Sequence, residues 1–598
     1  MDRNNIRQIY QQRRQARQDA LEAFEKKSSR IANLRLLVFV AGIATLLAAI
    51  LNEAVSYLWL LLPAVGFLVL VFMHDRVERE TEKRRAAMTY YTRGLHRLNH
   101  TWIDQGNQQT HYTASDHPYA ADLDLFGAGS LFELLCTCKT LAGEQQLANW
   151  LTQPTDFDEV RQRQEAIDEL RERIDLREDL WIIGGDVRAT LHPKILQSWG
   201  DLEPAFPKGR VRLLKAIAAF SAISITGCIA GIAIGAVPIY PLIALILVEL
   251  ALYRFVNRRL RKTMAGLAVS QKELNVLAGL LKRIENEPAD GALLTNLQNS
   301  ITEQGTSASH IIERLDRLVA RLDTTRNQLF APLAYMWMIP LFTRLSIETW
   351  RQQFGIKVGG WMDTTGKVEA ISAMSGYAYE HPGAPFPKLA ETGPRLVGKQ
   401  LCHPLLPDPL AVPNSIELGE TRLMIVSGSN MSGKSTFLRV IGINVVLANA
   451  GLPICGESLT LSPLIPGATI RIQDSLMEGS SRFYSEINRL RQLVEMAEGD
   501  RTLIFLIDEV LHGTNSHDRR IGGQAVLRGL VQRGAIGLVT THDLALSEMV
   551  DSFGGKARNV HFEDHIEDGR VLFDYKLRDG IVRKSNALEL MRSVGLDV

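Results

Sequence analysis

The sequence predicts a multidomain fold, α over its first two-thirds and α/β over its last third. Apolar residues up to about position 260 come in helix-length runs, grouped as two pairs. Beyond them, leucines recur at three- and four-residue spacing, as on one face of a helix. In the last third the apolar runs shorten, end in Ser, Asp or Thr and lead into helical patterns, as strands of a parallel sheet do. With 598 residues there is room for about three or four domains. Charged residues make up 22% and the formal net charge is +1, so no overall basic field advertises nucleic-acid binding. Five cysteines do not make a disulfide scaffold: Cys136 and Cys138 are too close for a CxxC motif, Cys228 lies in an apolar run, and Cys402 and Cys455 lack partners at metal-ligand spacing. All five read as reduced thiols.

The first element, residues 1–35, is rich in Arg and Gln to Lys27 and shows no apolar stripe. It reads as a solvated helix, a lipid-headgroup contact or a nucleic-acid contact rather than a folded unit. It does not read as a cleaved leader, because the first apolar run starts too late. Residues 36–73 form the first pair of runs, Leu36 to Leu51 and Tyr57 to Met73, with Asn52-Glu53 between them. The second pair lies within 208–262: Ala216 to Val237, then Ile239 to Tyr253, separated by Pro238. Runs of roughly 15 to 22 residues approach the ~20 that cross a ~30 Å hydrocarbon core. The shorter ones leave a re-entrant or interfacial hairpin open, and a buried soluble hairpin is the alternative. The flanks favour a membrane. Arg30 and Arg35 precede the first pair, and Arg76, Arg79, Lys83, Arg84 and Arg85 follow it. Lys208, Arg210, Arg212 and Lys215 precede the second, and Arg254, Arg258, Arg259, Arg261 and Lys262 follow it. By the positive-inside rule both hairpins begin and end in the cytoplasm, with both termini there. Glu249, inside the fourth run, reads as a helix-interface or protonated residue rather than a functional site.

Residues 74–118 read as a helical linker and 119–207 as the first part of a helical core. Residues 263–398 carry long helices: Leu274, Leu277, Leu280 and Leu281 mark one stripe, Ile311, Leu315, Leu318 and Leu322 another. Pro288 to Gly291 is a turn. Leu329 to Phe342 is apolar but too short to span, and packs either on the membrane surface or on the core.

The last unit, 399–598, carries the chemistry. Leu423 to Val426 is a strand, and Gly428-Ser429-Asn430-Met431-Ser432-Gly433-Lys434-Ser435-Thr436 is a Gly-x4-Gly-Lys-Ser loop opening a helix. That context is a phosphate-binding P-loop. Its backbone N–H groups and helix N-terminus cradle phosphates, Lys434 reaches the β- and γ-phosphates, and the Ser435 hydroxyl sits on Mg²⁺. Leu503 to Ile507 is a second buried strand ending in Asp508, a Mg²⁺ ligand, and Glu509, which orients an attacking water. Ile536 to Val539 ends in Thr540-Thr541-His542, and His542 is placed to sense a γ-phosphate. Three strand ends on one sheet edge favour hydrolysis of ATP over its storage. A Gly-rich turn, a surface carboxylate pair and a solvated histidine are the plain alternatives.

These motifs resemble a known family. Ser427-Gly-Ser-Asn-Met-Ser-Gly-Lys-Ser-Thr-Phe-Leu-Arg439 is similar to the P-loop of MutS-family mismatch-repair ATPases. Asp508-Glu-Val-Leu-His-Gly-Thr-Asn-Ser516 resembles their Walker B segment, and Asp474 to Glu486 their signature-like segment. Asn559 to Phe562 and Gly580 to Asn586 look like their closing strands. Upstream, Leu125 to Leu134, Thr140 to Gly143, Trp150-Leu-x-x-Pro154 and Arg161 to Leu170 resemble the helical core of MutS proteins. Glu369 to Tyr377 resembles the returning lever helix; His403-Pro404 and Val412-Pro413-Asn414 resemble the approach to the ATPase. The resemblance implies a helical core and lever domain followed by an ABC-class P-loop ATPase working as a homodimer, with Ser481 reaching the partner's nucleotide. A local helix cap is the alternative for Ser481.

Departures accompany the matches. The family's Phe-x-Glu mismatch wedge has no counterpart in the first hundred residues. Phe157-Asp158-Glu159 fits literally but sits at a helix start, where Phe157 packs as a staple and the acids suit the N-terminus. Ala411, beside Leu410, stands where an adenine-stacking aromatic is expected, and 263–398 leaves no room for a full DNA clamp. The expected protein is therefore an inner-membrane, multi-pass MutS-like ATPase with its ATPase domain in the cytoplasm, using ATP and Mg²⁺. By resemblance its ligand is mismatched or branched DNA. The alternative is an ATP-gated membrane scaffold for protein or lipid partners. An ABC transporter fits worse, for want of spans and of a Leu-Ser-Gly-Gly-Gln signature.

Overall fold

The computed structural model describes residues 2–582, apart from 52–55, 109–111, 113–116, 186–192, 267–270, 304, 326–330, 409, 472–481, 512–513, 543 and 568–569. The chain is a helix-rich, multidomain α/β protein. Its first two helices, α1 (Arg3–Leu51) and α2 (Leu61–Leu98), pack together along their length. At 49 residues, α1 is about 73 Å long, so the apolar run is only its far end. There Leu36, Phe39, Leu62 and Phe72 are exposed.

At its near end α1 corrects the expectation of a helix without a core. Ile6 and Tyr10 are fully buried against Tyr90, Tyr91, Leu95, Trp181 and Tyr379. The Tyr10 hydroxyl donates to Glu380 at 3.2 Å. Arg17 holds Glu178 through two bonds, of 2.7 and 3.1 Å. The arginines do not leave this helix in solvent; they fit it to an acidic neighbour, while Ile6, Ile9 and Tyr10 seat it.

Five helices build the core: α3 (Leu131–Leu135), α4 (Leu141–Thr152), α5 (Phe157–Arg171), α6 (Ile174–Gly184) and α7 (Pro193–Gly200). Asp158 and Glu159 lie in the first turn of α5, as expected, whereas Phe157 is buried as its first residue after the N-cap Asp156 and so packs into the core without being the pre-cap residue that a staple requires. Next come α8 (Lys208–Ala233) and α9 (Tyr240–Gly266), tied together where the Ser221 hydroxyl donates to Glu249 at 2.7 Å. With α1 and α2 they are the four helices among the described residues that are long and apolar enough to cross a membrane.

Beyond them lie α10 (Gln271–Glu285), α11 (Ala292–Ile301), the two-residue strands β1 (Thr302–Glu303) and β2 (Thr306–Ser307), α12 (Ala308–Thr324) and short α13 (Ala331–Met336). The 42-residue α14 (Ile339–Glu380) packs against α4, α5, α7 and α8. It crosses α7 so closely that a Cβ on Gly200 would meet the Gly355 carbonyl oxygen at 2.3 Å. Two buried carboxylates pin it. Glu369 accepts the N–H of Lys139 at 2.9 Å and of Thr140 at 3.3 Å, capping the start of α4. Glu348 pairs with Arg351 at 2.9 Å, and that guanidinium donates to the Leu202 and Glu203 carbonyls.

The α/β part holds two sheets. A four-stranded sheet runs β3 (Lys388–Leu389), β7 (Ser458–Leu461), β4 (Leu396–Leu401), β5 (Asn414–Leu418). It starts before residue 399, the boundary expected from sequence. The six-stranded sheet has the order β12 (Arg570–Asp579), β11 (Ala557–Glu567), β6 (Leu423–Ser427), β10 (Ile536–Thr541), β9 (Thr502–Asp508), β8 (Leu464–Thr469). All neighbours are parallel except the edge pair β11 and β12. Around it lie α15 (Lys434–Ala450), α16 (Arg482–Met496), α17 (Ser516–Gln532) and short α18 (Leu544–Ser547). The last strand ends before Gly580, where the closing strand was expected, and residues 583–586 lie outside the described residues. Cys402 and Cys455, read from sequence as unpartnered thiols, are paired as a disulfide between Cα atoms 5.4 Å apart.

Candidate functional site

Register brings three strand ends to one place. Thr541 at the end of β10 pairs with Ser427 at the end of β6, and Thr540 pairs with Asp508 at the end of β9. Because parallel strands finish together, the loops that follow them share one crevice, the usual ligand position in an open α/β sheet. β6 is buried throughout, as a central strand requires.

From Ser427 the chain turns through Gly428, Ser429, Asn430, Met431, Ser432 and Gly433 into α15, whose first residues are Lys434, Ser435 and Thr436. Two turns need glycine. Gly428 has φ +153°, and a Cβ there would lie 2.7 Å from Ser432 Oγ and 3.0 Å from the Phe562 carbonyl oxygen; Gly433 has φ +100°. Met431 also sits at positive φ and is exposed. The Ser429 and Ser432 hydroxyls are enclosed without a hydrogen-bond partner among the described residues. Lys434 is buried; its Nζ donates to the Gly428 and Ser429 carbonyls at 2.9 and 2.7 Å. Burial pulls its ammonium below the usual lysine range, while Glu509 and Asp508 oppose that. Such a loop, with an ammonium folded over it and unspent donors, fits an anionic phosphate chain.

Across the crevice, Ser435 Oγ donates to Asp508 Oδ2 at 2.6 Å, and the Thr540 hydroxyl donates to the other Asp508 oxygen. Glu509 holds φ +53°, a strained conformation for a non-glycine residue, and its N–H donates to Thr540 Oγ1 at 3.0 Å. That turn aims its carboxylate at His542, whose Nδ1 lies 3.1 Å from Glu509 Oε1. Among the described residues no group of three or more His, Cys, Asp or Glu is arranged to hold a metal ion by itself. A divalent ion here would rest on Ser435 and Asp508 and take its other ligands from phosphate and water, as Mg²⁺ does.

The structure thus brings Lys434, Ser435, Asp508, Glu509 and His542 together, while Ser481 lies outside the described residues. It adds groups to which the sequence reading gave no role of their own. Thr540 links Asp508 to the Glu509 turn, and the buried Glu486 of α16 accepts the Leu511 N–H just beyond. Tyr575 of β12 faces the loop: a Cβ on Gly433 would lie 3.0 Å from its ring. Asn414, close to Ala411, donates to the Tyr575 carbonyl at 2.9 Å and accepts the Leu577 N–H at 2.8 Å. An aromatic ring therefore stands beside the loop, though not at position 411.

Comparison with known proteins gives two family matches, MutS domain III over residues 115–331 and MutS domain V over 424–597. The chain is 35% identical to Endonuclease MutS2 of Thermus thermophilus over 196 residues, 32% of this chain and 25% of the relative. It is 31% identical to DNA mismatch repair protein MutS of Streptococcus uberis over 189 residues, 31% of this chain and 22% of the relative. It is 32% identical to DNA mismatch repair protein MSH3 of Phaeosphaeria nodorum over 235 residues, 38% of this chain and 21% of the relative. The matched part spans a quarter or less of these relatives.

Proposed function

The chain belongs to the MutS family, and on that premise we propose that it is a membrane-anchored ATPase of the ABC class. In this reading Gly428 to Thr436 form a P-loop that holds the phosphates of ATP. Ser435 and Asp508 hold Mg²⁺, which when bound offsets phosphate charge. Glu509 orients the attacking water, with His542 beside it to keep the carboxylate turned toward the reacting phosphate. Tyr575 offers the ring surface for adenine that Ala411 does not. One observation carries the reading: Lys434, Ser435, Asp508, Glu509 and His542 converge at the carboxyl ends of three parallel strands.

The rest of the reading extends that site. Two copies sandwich two nucleotides, with Ser481 contributed across the interface. The hairpins α1–α2 and α8–α9 anchor the protein in the cytoplasmic membrane, with their basic flanks, both termini and the ATPase inside. Opening and closing of the dimer moves α14, and through it the hairpins. The names of the relatives, DNA mismatch repair proteins and an endonuclease, support DNA as ligand, with mismatched and branched forms as the candidates. The four long apolar helices support the second reading, an ATP-gated scaffold for protein or lipid.

The test is ATP turnover of the detergent-solubilised protein, alone and with duplex, mismatched and four-way-junction DNA, beside Glu509→Gln. Turnover should fall by about a hundredfold or more in the variant. Stimulation by one DNA form supports the DNA reading, and indifference to all of them the scaffold. Turnover that survives Glu509→Gln rejects the assignment of the site.

A further inference from the structure

The second hairpin encloses a chemistry that neither anchoring nor ATP hydrolysis uses. Between α9 and α13 lies a cavity of about 370 Å³, within the size range of small-molecule sites. One wall is the α9 stripe Ile246, Glu249, Leu250 and Tyr253; the other is Pro332, Tyr335 and Met336 of α13. Most of this lining is apolar, yet it contains a carboxylate whose residue is only 6% exposed. A buried carboxylate is costly unless its oxygens are met by donors or a cation. Ser221 supplies one donor, at 2.7 Å, to Oε1. Among the described residues no group donates to Oε2, and Glu249 lines the cavity.

Two aromatic rings complete the setting. Tyr253 and Tyr335 meet edge to face with centroids 5.4 Å apart, one from each wall. The Tyr253 ring already attracts a cation, since the Arg344 guanidinium lies 5.5 Å from its centroid. A carboxylate one turn from aromatic faces is the combination that receives an ammonium group. Of the lining residues, Ile246 and Leu250 are exposed on the apolar surface of α9, so a ligand that reaches the cavity past them needs an apolar body.

We propose that the cavity between α9 and α13 is a binding site for a membrane amphiphile with a primary amine head, which Glu249 receives as an N–H donor and Tyr253 and Tyr335 flank. The proposal rests on the membrane reading only for where the ligand comes from, either an aminophospholipid or a free long-chain amine. Glu249 is then both the helix-interface residue that the sequence suggests and half of an ion pair.

The full chain in phosphatidylcholine nanodiscs tests this, because that lipid carries no N–H donor. Hexadecylamine, hexadecyltrimethylammonium and hexadecanoate are titrated while the thermal unfolding midpoint is followed. The primary amine should stabilise saturably and bind about tenfold or more tighter than the quaternary amine, which has charge but no donor. That preference should vanish in Glu249→Gln and weaken in Tyr253→Leu. Nanodiscs made with phosphatidylethanolamine separate the two sources: if the lipid is the ligand, they should abolish the response to added amine. Equal responses to all three amphiphiles, or a preference that survives Glu249→Gln, would overturn the proposal. A wild-type chain that does not enter nanodiscs would instead sink the membrane reading. The same titration, run on the water-soluble protein with shorter amines, then decides the site on its own.

Discussion

Replacing Asp122 with alanine should loosen one particular junction between the helical core and the α/β part. Asp122 is 1% exposed, on the strap that precedes α3. Its Oδ1 accepts the N–H of Ile470 at 2.7 Å and of Arg471 at 2.6 Å, just past the end of β8. Arg489 of α16 lies 3.6 Å from Oδ2, and Arg439, one turn into α15, donates to the Asp122 carbonyl at 3.1 Å. A single side chain from the core therefore bridges the strand and helix that flank the proposed nucleotide crevice.

The size of the effect follows from the same geometry. Bonds to a carboxylate contribute about 1.5 to 3 kcal/mol each. Burial pushes the Asp122 carboxyl above the usual range despite its N–H donors, so desolvation consumes part of that gain and the low end applies. Arg471 is exposed, so water can satisfy its amide after the mutation. About 1.5 kcal/mol per bond gives about 3 kcal/mol locally, or about a hundredfold in an opening equilibrium. Amide hydrogen exchange, followed by mass spectrometry on peptides covering 464–471, should therefore speed up about a hundredfold at Ile470 and Arg471. Asp122→Asn keeps one acceptor and should show a smaller change, about tenfold. Peptides from the centre of β9 should not change. Exchange at both amides within about threefold of wild type would refute the reasoning and leave Asp122 a bystander.

Four other outcomes are expected. Tyr575→Ala should weaken nucleotide binding about tenfold with little effect on bound-state turnover, measured as Kd against kcat, if its ring stacks on the base. Arg351→Met should lower stability by about 3 to 5 kcal/mol because it strands the fully buried Glu348; the double replacement by methionine should cost less, and thermal midpoints compare the two. Gly442→Ala should destabilise by about 1 to 3 kcal/mol, since a Cβ there would meet Leu123 at 2.5 Å and Leu506 at 2.7 Å. His403 gives the pH dependence. Burial, with Arg439 adding to it, holds its pKa at about 4, below the ordinary 6.5. Below pH 6.5 the unfolded chain takes up a proton that the fold refuses, so stability is lost as pH falls and the loss is complete below about 4. It amounts to at most about 3.4 kcal/mol. His403→Gln should flatten the midpoint between pH 4 and 7 by up to that amount.

What could be read from the sequence, and what could not, divides by the distance over which a residue finds its partner. The turn from β6 into α15 is specified within about ten residues: an apolar run, two glycines at positions that need positive φ, and a lysine and serine opening a helix. Asp508, Glu509 and His542 were legible for a similar reason, since each ends a short apolar strand of one parallel sheet. Tyr10 was not, because its partner Glu380 is 370 residues away and the residues around it, apart from Ile9, are arginine and glutamine. The same holds for the aromatic beside the loop, which β12 supplies 161 residues after Asn414, and for Cys402 and Cys455, 53 residues apart with no spacing rule between them. Asp122 belongs with these, with its two amide partners 348 and 349 residues on. The chemistry proposed for this chain is thus local in sequence, whereas the contacts that join its site to the helical core are not. A variant at Lys434 or Glu509 should abolish turnover on its own. One at Asp122 or Tyr10 should leave the crevice assembled and change instead how the helices respond to what binds there, and measuring both on one preparation separates the engine from its linkage.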